Sequence, residues 1–220
     1  MSHSGTRPPG YLPAMGRDVL LPLYDPFTRL IGRADLDRLL IAQAGIGAGD
    51  RVLEIGCGTG TVAVLAQRLH PGAEVGGIDP DPKALARARR KARRAGLAMR
   101  WDLGYAQDLP YPDGSFDRLL SSLMFHHLQP EQRSAALREA FRVLAPGGRL
   151  HLLDIGGDGA AHDGLMARLH RHSPRLHDNL GDRIPELMRE AGFAPAVAVD
   201  HRVRRLFGPL TYYRADVPVT

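Results

Sequence analysis

The sequence predicts an α/β fold, with a mostly parallel sheet covered by helices on both faces and ending in an antiparallel hairpin. Three observations predict it. From residue 50 onward, short apolar β-type runs alternate with helical patterns, as parallel strands joined by right-handed crossovers require. The first run opens into Glu54-x-Gly56-x-Gly58-x-Gly60, glycine at every second position of a strand-to-helix turn. The last two β-type runs are separated only by Phe207-Gly208-Pro209, too short for a crossover helix, so they must be antiparallel neighbours.

The elements follow in order. Residues 1–10 are rich in Ser, Gly and Pro and read as a loose tail. Residues 11–45 read as an N-terminal helical cap, carrying Met15, Leu20, Leu21, Leu23, Tyr24, Phe27 and Leu30 between the breaks at Pro22 and Pro26. The core then runs over 46–220, giving one domain. Strands are expected over 51–55, 74–78, 98–102, 116–122 and 149–155, with helices over 61–69, 82–95 and 131–144. Pro82 in the first turn behind a capping Asp81 starts the second of these helices. Pro146-Gly147-Gly148 stops the third. A helix over 184–191 ends at Gly192, and β-type runs over 195–206 and 210–215 close the chain.

Composition narrows the function. The chain has 220 residues, 44% apolar and 24% charged, ordinary for a soluble globular protein. It contains no uninterrupted apolar run of about 18 residues, so no membrane span is expected, and a cytoplasmic home is compatible. Cys57 is the only cysteine, which excludes an internal disulfide and any multi-cysteine metal site. The net charge of +5 invites a nucleic-acid reading. However, Arg87, Arg89, Arg90, Lys91, Arg93 and Arg94 crowd one segment in which Leu85, Ala88, Ala92 and Ala95 recur at helical spacing. That is an amphipathic helix with a solvated basic face, and no aromatic residue interleaves it to stack on bases.

A dinucleotide fingerprint needs glycine at its sixth position, which here is Thr61. An acid followed by three alternating glycines instead resembles motif I of the class I S-adenosylmethionine (SAM)-dependent methyltransferases. Further motifs extend the resemblance over about residues 45–155. Gly104-Tyr105-Ala106-Gln107-Asp108-Leu109-Pro110 is similar to the adenine loop of the ubiquinone/menaquinone-biosynthesis type, with Tyr105 in place of its acid. The run from Arg142 to Leu150 is similar to the segment that precedes strand five in that family. The resemblance implies a Rossmann-like, seven-stranded sheet and SAM as cofactor, with S-adenosylhomocysteine as product.

On that resemblance Glu54, Gly56, Cys57, Gly58 and Gly60 hold the methionine half. The helix N-terminus suits its carboxylate and Glu54 its ammonium; Cys57 itself reads as a small packing residue. Asp79, ending the second strand, takes the ribose hydroxyls, as it would in a nicotinamide enzyme. Pro80, Tyr105, Ala106 and Gln107 surround the adenine, Ser122 at the end of strand four touches the cofactor, and Tyr24 in the cap covers the methionine end. Asp117 reads as structural.

The acceptor side starts at Phe125-His126-His127. His126 is the expected general base, oriented by Asp154 at the end of strand five; His127 is its alternate, the two adjacent side chains being expected to diverge. No acid–His cluster has metal-ligand spacing, so no metal is expected. The reading is a methyltransferase acting on a small-molecule acceptor, with a hydroxyl as the favoured group. The alternatives are an RNA or protein methyltransferase using the basic surface, and a non-catalytic SAM-binding module.

Overall fold

The computed structural model describes residues 33–156, 183–204 and 208–219. Seven strands form one sheet: β1 (Arg51–Ile55), β2 (Glu74–Asp79), β3 (Arg100–Leu103), β4 (Phe116–Ser122), β5 (Leu144–Ile155), β6 (Ala196–Arg204) and β7 (Gly208–Asp216). Their spatial order is β3-β2-β1-β4-β5-β7-β6. The first five are parallel, and β7 runs antiparallel to both β5 and β6. The parallel sheet with its antiparallel hairpin is therefore as expected. The helices among the described residues are α1 (Arg33–Ala44), α2 (Thr61–Leu69), α3 (Pro82–Arg94), α4 (Pro130–Val143) and α5 (Arg183–Glu190). None is long and apolar enough to cross a membrane.

Central parallel strands are buried on both faces, which is why they read as continuous apolar runs rather than as alternation. Leu119 and Leu120 on β4 are both fully buried, in opposite cores. Leu119 joins Leu137 and Val143 of α4 and Ile184 of α5. Leu120 joins Leu36 and Leu40 of α1 and Val62 of α2. On α3 the buried residues are Ala84, Leu85, Ala88 and Ala92, so most of its arginines lie on the outer side, Arg87 being half-buried, and Asp81 caps it through the Lys83 N–H at 2.8 Å.

Several boundaries differ from expectation, most by one or two residues; β7 starts at Gly208 and takes up Gly208 and Pro209 of the expected turn, paired with Arg204 and Val203 of β6. β3 begins at Arg100, two residues later than expected, where its pairing with Gly76 of β2 begins. β5 begins at Leu144 rather than at Arg149, because Leu144 leaves α4 in extended conformation and pairs at once with Phe116. Pro146-Gly147-Gly148 thus forms an irregularity within the strand, and the register against β4 shifts between Phe116 and Arg118.

His151, central on β5, is 1% exposed, and neither ring nitrogen has a hydrogen-bond partner among the described residues. Burial, with Arg214, Arg149 and Arg118 nearby against the single carboxylate of Asp216, pushes its pKa down to about 4. The unfolded chain binds the proton near pH 6.5, so folding is unaffected above that pH and loses stability as pH falls from there toward 4. The loss attributable to this residue is about 3 kcal/mol. His151→Leu should flatten that limb, measured as urea midpoints between pH 7 and 4; an unchanged limb would place the acid sensitivity elsewhere.

Candidate active site

The strand order reverses between β1 and β4: the chain leaves β1 toward β2 and β3 on one side and returns to β4 and β5 on the other. Ligands collect at the carboxyl ends of strands beside such a switch point. The glycine loop, Asp79, Ser122, the His126 turn and Asp154 all stand at those ends.

Gly56, Gly58 and Gly60 have φ of 70°, 51° and 73°, in the left-handed region that favours glycine. Their surroundings separate their roles. A Cβ on Gly56 would collide with the Met124 side chain, and one on Gly60 would lie 2.8 Å from Cβ of Ala88 and 2.5 Å from the Trp101 ring. A Cβ on Gly58 would meet nothing within 4 Å among the described residues. Gly56 and Gly60 are thus packing positions, while Gly58 is an open cradle where a ligand can approach the backbone. Gly56→Ala should cost about 1–3 kcal/mol of stability by displacing Met124, measured by denaturant titration; an unchanged midpoint would contradict that contact.

Glu54 is 2% exposed and its Oε2 accepts the Ala63 N–H of α2 at 2.8 Å. Burial above all, with Asp37 nearby, raises its pKa to about 8. The Cys57 side chain packs inward, so close to Gly77 that a Cβ there would be 2.8 Å from its sulfur. Burial pushes its thiol well above the usual range, so it is a packing residue and no nucleophile. Asp79 accepts the Gly58 N–H at 2.8 Å on Oδ2 and the Asp81 N–H at 2.9 Å on Oδ1. Burial raises its pKa to about 6.

Strand pairing sets Asp79 beside Leu103 at the end of β3, and the Gly104 N–H reaches the Asp79 carbonyl at 3.3 Å. The turn that follows, where Tyr105 bridges to Asp108, is therefore next to Asp79. Ala106 there is buried, while Pro80, Tyr105 and Gln107 are half-buried. Asp117 accepts the backbone and side-chain N–H groups of Arg51, a structural clasp. Tyr24 lies outside the described residues.

Beyond Ser122 the chain turns sharply. Leu123 has φ 55°, an outlier for a bulky residue, and its N–H is held by the Leu153 carbonyl at 2.8 Å. Met124 then lies over Gly56, and Phe125–His127 form one 3-10 turn. That tight turn overturns the expectation that His126 and His127 diverge, since their ring centroids are 4.0 Å apart. His127 is exposed. The His126 side chain is 16% exposed, and its Nδ1 lies 2.6 Å from Oδ1 of a fully buried Asp154. Asp154 also accepts the backbone N–H groups of His126 and Ile155. With Nδ1–H donating to the carboxylate, Nε2 is left as a proton acceptor.

Two residues escaped the sequence reading. Arg33 and Asp37 on α1 are 8% and 1% exposed, ion-paired at 3.4 Å, and both reach the Ser122 hydroxyl at 3.4 Å. The available signal was their i,i+4 spacing on the stripe that also carries Leu36 and Leu40. Among the described residues no group of three or more His, Cys, Asp or Glu could hold a metal ion.

An open glycine cradle followed by a strand-ending aspartate defines a class: α/β domains that bind an adenosine-bearing cofactor at the switch point. Comparison with known proteins agrees. A family described as a methyltransferase domain matches residues 52–148. A demethylmenaquinone methyltransferase of Thermus thermophilus is 39% identical over 154 residues, covering 69% of this chain and 69% of its own. The protein of the same name from Deinococcus radiodurans is 34% identical, the match covering 69% of this chain and 63% of that one. The apo structure of the SAM-dependent methyltransferase SibL superposes with TM-score 0.71 at 25% identity, over 94% of this chain and 60% of that one. The [4+2]-cyclase SpnF shares the fold alone, with TM-score 0.69 at 22% identity over 84% of this chain and 81% of its own. The chain belongs to the class I SAM-dependent methyltransferases.

Proposed function

We propose that this methyltransferase acts on a small molecule carrying an ionisable hydroxyl, of the aromatic quinol kind, with His126 as general base. The observation that carries the reading is the His126–Asp154 pair, 2.6 Å apart, in a turn whose Met124 lies on the glycine loop. The names of the Thermus and Deinococcus relatives favour a quinol ring. The residues fit SAM on this structure's own evidence: Gly58 is open above its Cα, and the buried carboxyls of Glu54 and Asp79 suit a cationic, hydroxylated ligand.

SAM, when bound, supplies an electrophilic methyl on a sulfonium and needs no metal to activate it. The chain's residues then bind and orient. Gly56 to Gly60, with Cys57 through its backbone only, and Glu54 hold the amino-acid end, and Asp79 accepts from the ribose hydroxyls. Pro80, Tyr105, Ala106 and Gln107 enclose the adenine, Ser122 contacts the cofactor, and Tyr24 covers it. Nε2 of His126 takes the hydroxyl proton while Asp154 holds the ring's tautomer. In a quinol the resulting charge delocalises into the ring, so one base serves oxygen or ring-carbon acceptors. In-line positioning supplies about 7–11 kcal/mol and the base about 10²–10⁴-fold, so orientation dominates.

The test is anaerobic incubation with SAM and a reduced demethylmenaquinone analogue, monitoring S-adenosylhomocysteine and methylated product by mass spectrometry. Formation of both is expected. No turnover of the quinol or of a panel of phenols would overturn the acceptor assignment.

A further inference from the structure

Asp37 is a buried acid whose polar contacts are long. It is 1% exposed, yet its contacts to Arg33 and to the Ser122 hydroxyl are both 3.4 Å. Charge-assisted bonds usually close to about 2.7–2.9 Å, and the more exposed Arg142–Glu139 and Arg51–Asp117 pairs do so at 2.7 and 3.0 Å. A carboxylate has about four acceptor sites, and burial with so little compensation pushes this one above its ordinary pKa. A buried ion pair closed as loosely as this one stabilises a fold poorly.

Its place in the fold shows what could complete it. Val52 and Leu120 belong to the core under α1. Residues two apart share a face of a sheet, so Glu54 and Ser122 face α1 as well, at the ends of neighbouring strands. Asp37, Ser122 and Glu54 therefore converge beside the glycine loop. Glu54 already gives one oxygen to the Ala63 N–H, and burial disfavours its charged form. The ammonium at the cofactor's amino-acid end therefore gains from a second carboxyl partner beside Glu54. Lys91 is turned to the Thr59 and Thr61 hydroxyls.

We infer that Asp37, held by Arg33 and Ser122, is the carboxylate that receives the ammonium of the cofactor's amino-acid moiety, with the Arg33 guanidinium facing its carboxylate. A zwitterion lying antiparallel to the Arg33–Asp37 dipole adds two intermolecular ion pairs beside the loose internal one at no net change of charge. This makes α1 part of the cofactor site and its Arg–Asp pair a reader of α-amino acids. The inference rests on the SAM reading above.

The experiment compares two thioethers, S-adenosylhomocysteine and 5′-methylthioadenosine, which share the adenosine and differ by the amino acid. Calorimetry of the wild-type protein should favour the first by about 30-fold or more. Asp37→Asn should weaken S-adenosylhomocysteine by about 30-fold and leave methylthioadenosine within about twofold, the latter also reporting that the site is folded. Should Asp37→Asn unfold, Asp37→Glu keeps the charge near Arg33 and should show the same ligand-selective loss in smaller measure. Equal weakening of both ligands, or of neither, overturns the assignment. A wild-type protein that binds neither S-adenosylhomocysteine nor SAM fails the cofactor reading itself; full S-adenosylhomocysteine affinity in the variants fails only this inference.

Discussion

His126→Ala should lower kcat by about 10²-fold or more while the affinity for SAM is unchanged, because the ring is assigned to the acceptor's proton rather than to the cofactor. Asp154→Asn should do nearly the same with the imidazole still present. Asp154 is fully buried and accepts three N–H groups, from the His126 ring, the His126 backbone and Ile155. An asparagine keeps the shape but offers one oxygen and an NH₂ group. An NH₂ facing Nδ1 selects the tautomer that carries its proton on Nε2, and such a ring cannot take the acceptor's proton. Steady-state rates with an identified acceptor, beside cofactor calorimetry, decide the matter. Wild-type turnover in both variants would place the base elsewhere.

Asp79→Ala should weaken SAM by about 10–150-fold, the scale of losing hydrogen bonds to a charged group. Part of that loss is indirect. The carboxylate also holds the Gly58 and Asp81 N–H groups, so alanine loosens the cradle and the start of α3 together. Asp79→Asn keeps one acceptor oxygen and should recover part of the affinity. Because burial raises the Asp79 pKa to about 6, the free protein holds a neutral carboxyl there at pH 5. SAM affinity should therefore rise with pH through about 6 and level off above it. Gly58→Val should abolish measurable SAM binding, since φ of 51° is strained for a branched residue and its methyls would fill the cradle. Calorimetry between pH 5 and 8 tests all four; affinities independent of pH and of both residues would remove Asp79 and Gly58 from the site.

Features confined to one stretch of chain were legible. The Asp81–Pro82 start of α3 and the glycine loop stand as read, and the last two strands are antiparallel neighbours as expected, although Gly208 and Pro209 belong to β7 rather than to the turn. The start of β5 was misplaced because a Pro-Gly-Gly stop looks alike whether a loop or an irregular strand follows; pairing of Leu144 with Phe116, 28 positions earlier, decides it. Apolar residues of the N-terminal segment drew attention away from Arg33 and Asp37. A charge within an apolar stripe carries no local sign of the hydroxyl that it meets far along the chain.

Alternating strand and helix patterns, the acid-glycine loop and the single cysteine are written in the chain itself, because backbone conformation and side-chain periodicity are set by near neighbours. The family follows from the motifs. Only the folded sheet brings Asp154 under His126, lays Met124 on Gly56 and leaves Gly58 open, and gathers Arg33, Asp37 and Ser122 into one buried cluster. Those contacts join residues on different elements, and their distances depend on strand register and helix docking, which no spacing along the chain encodes.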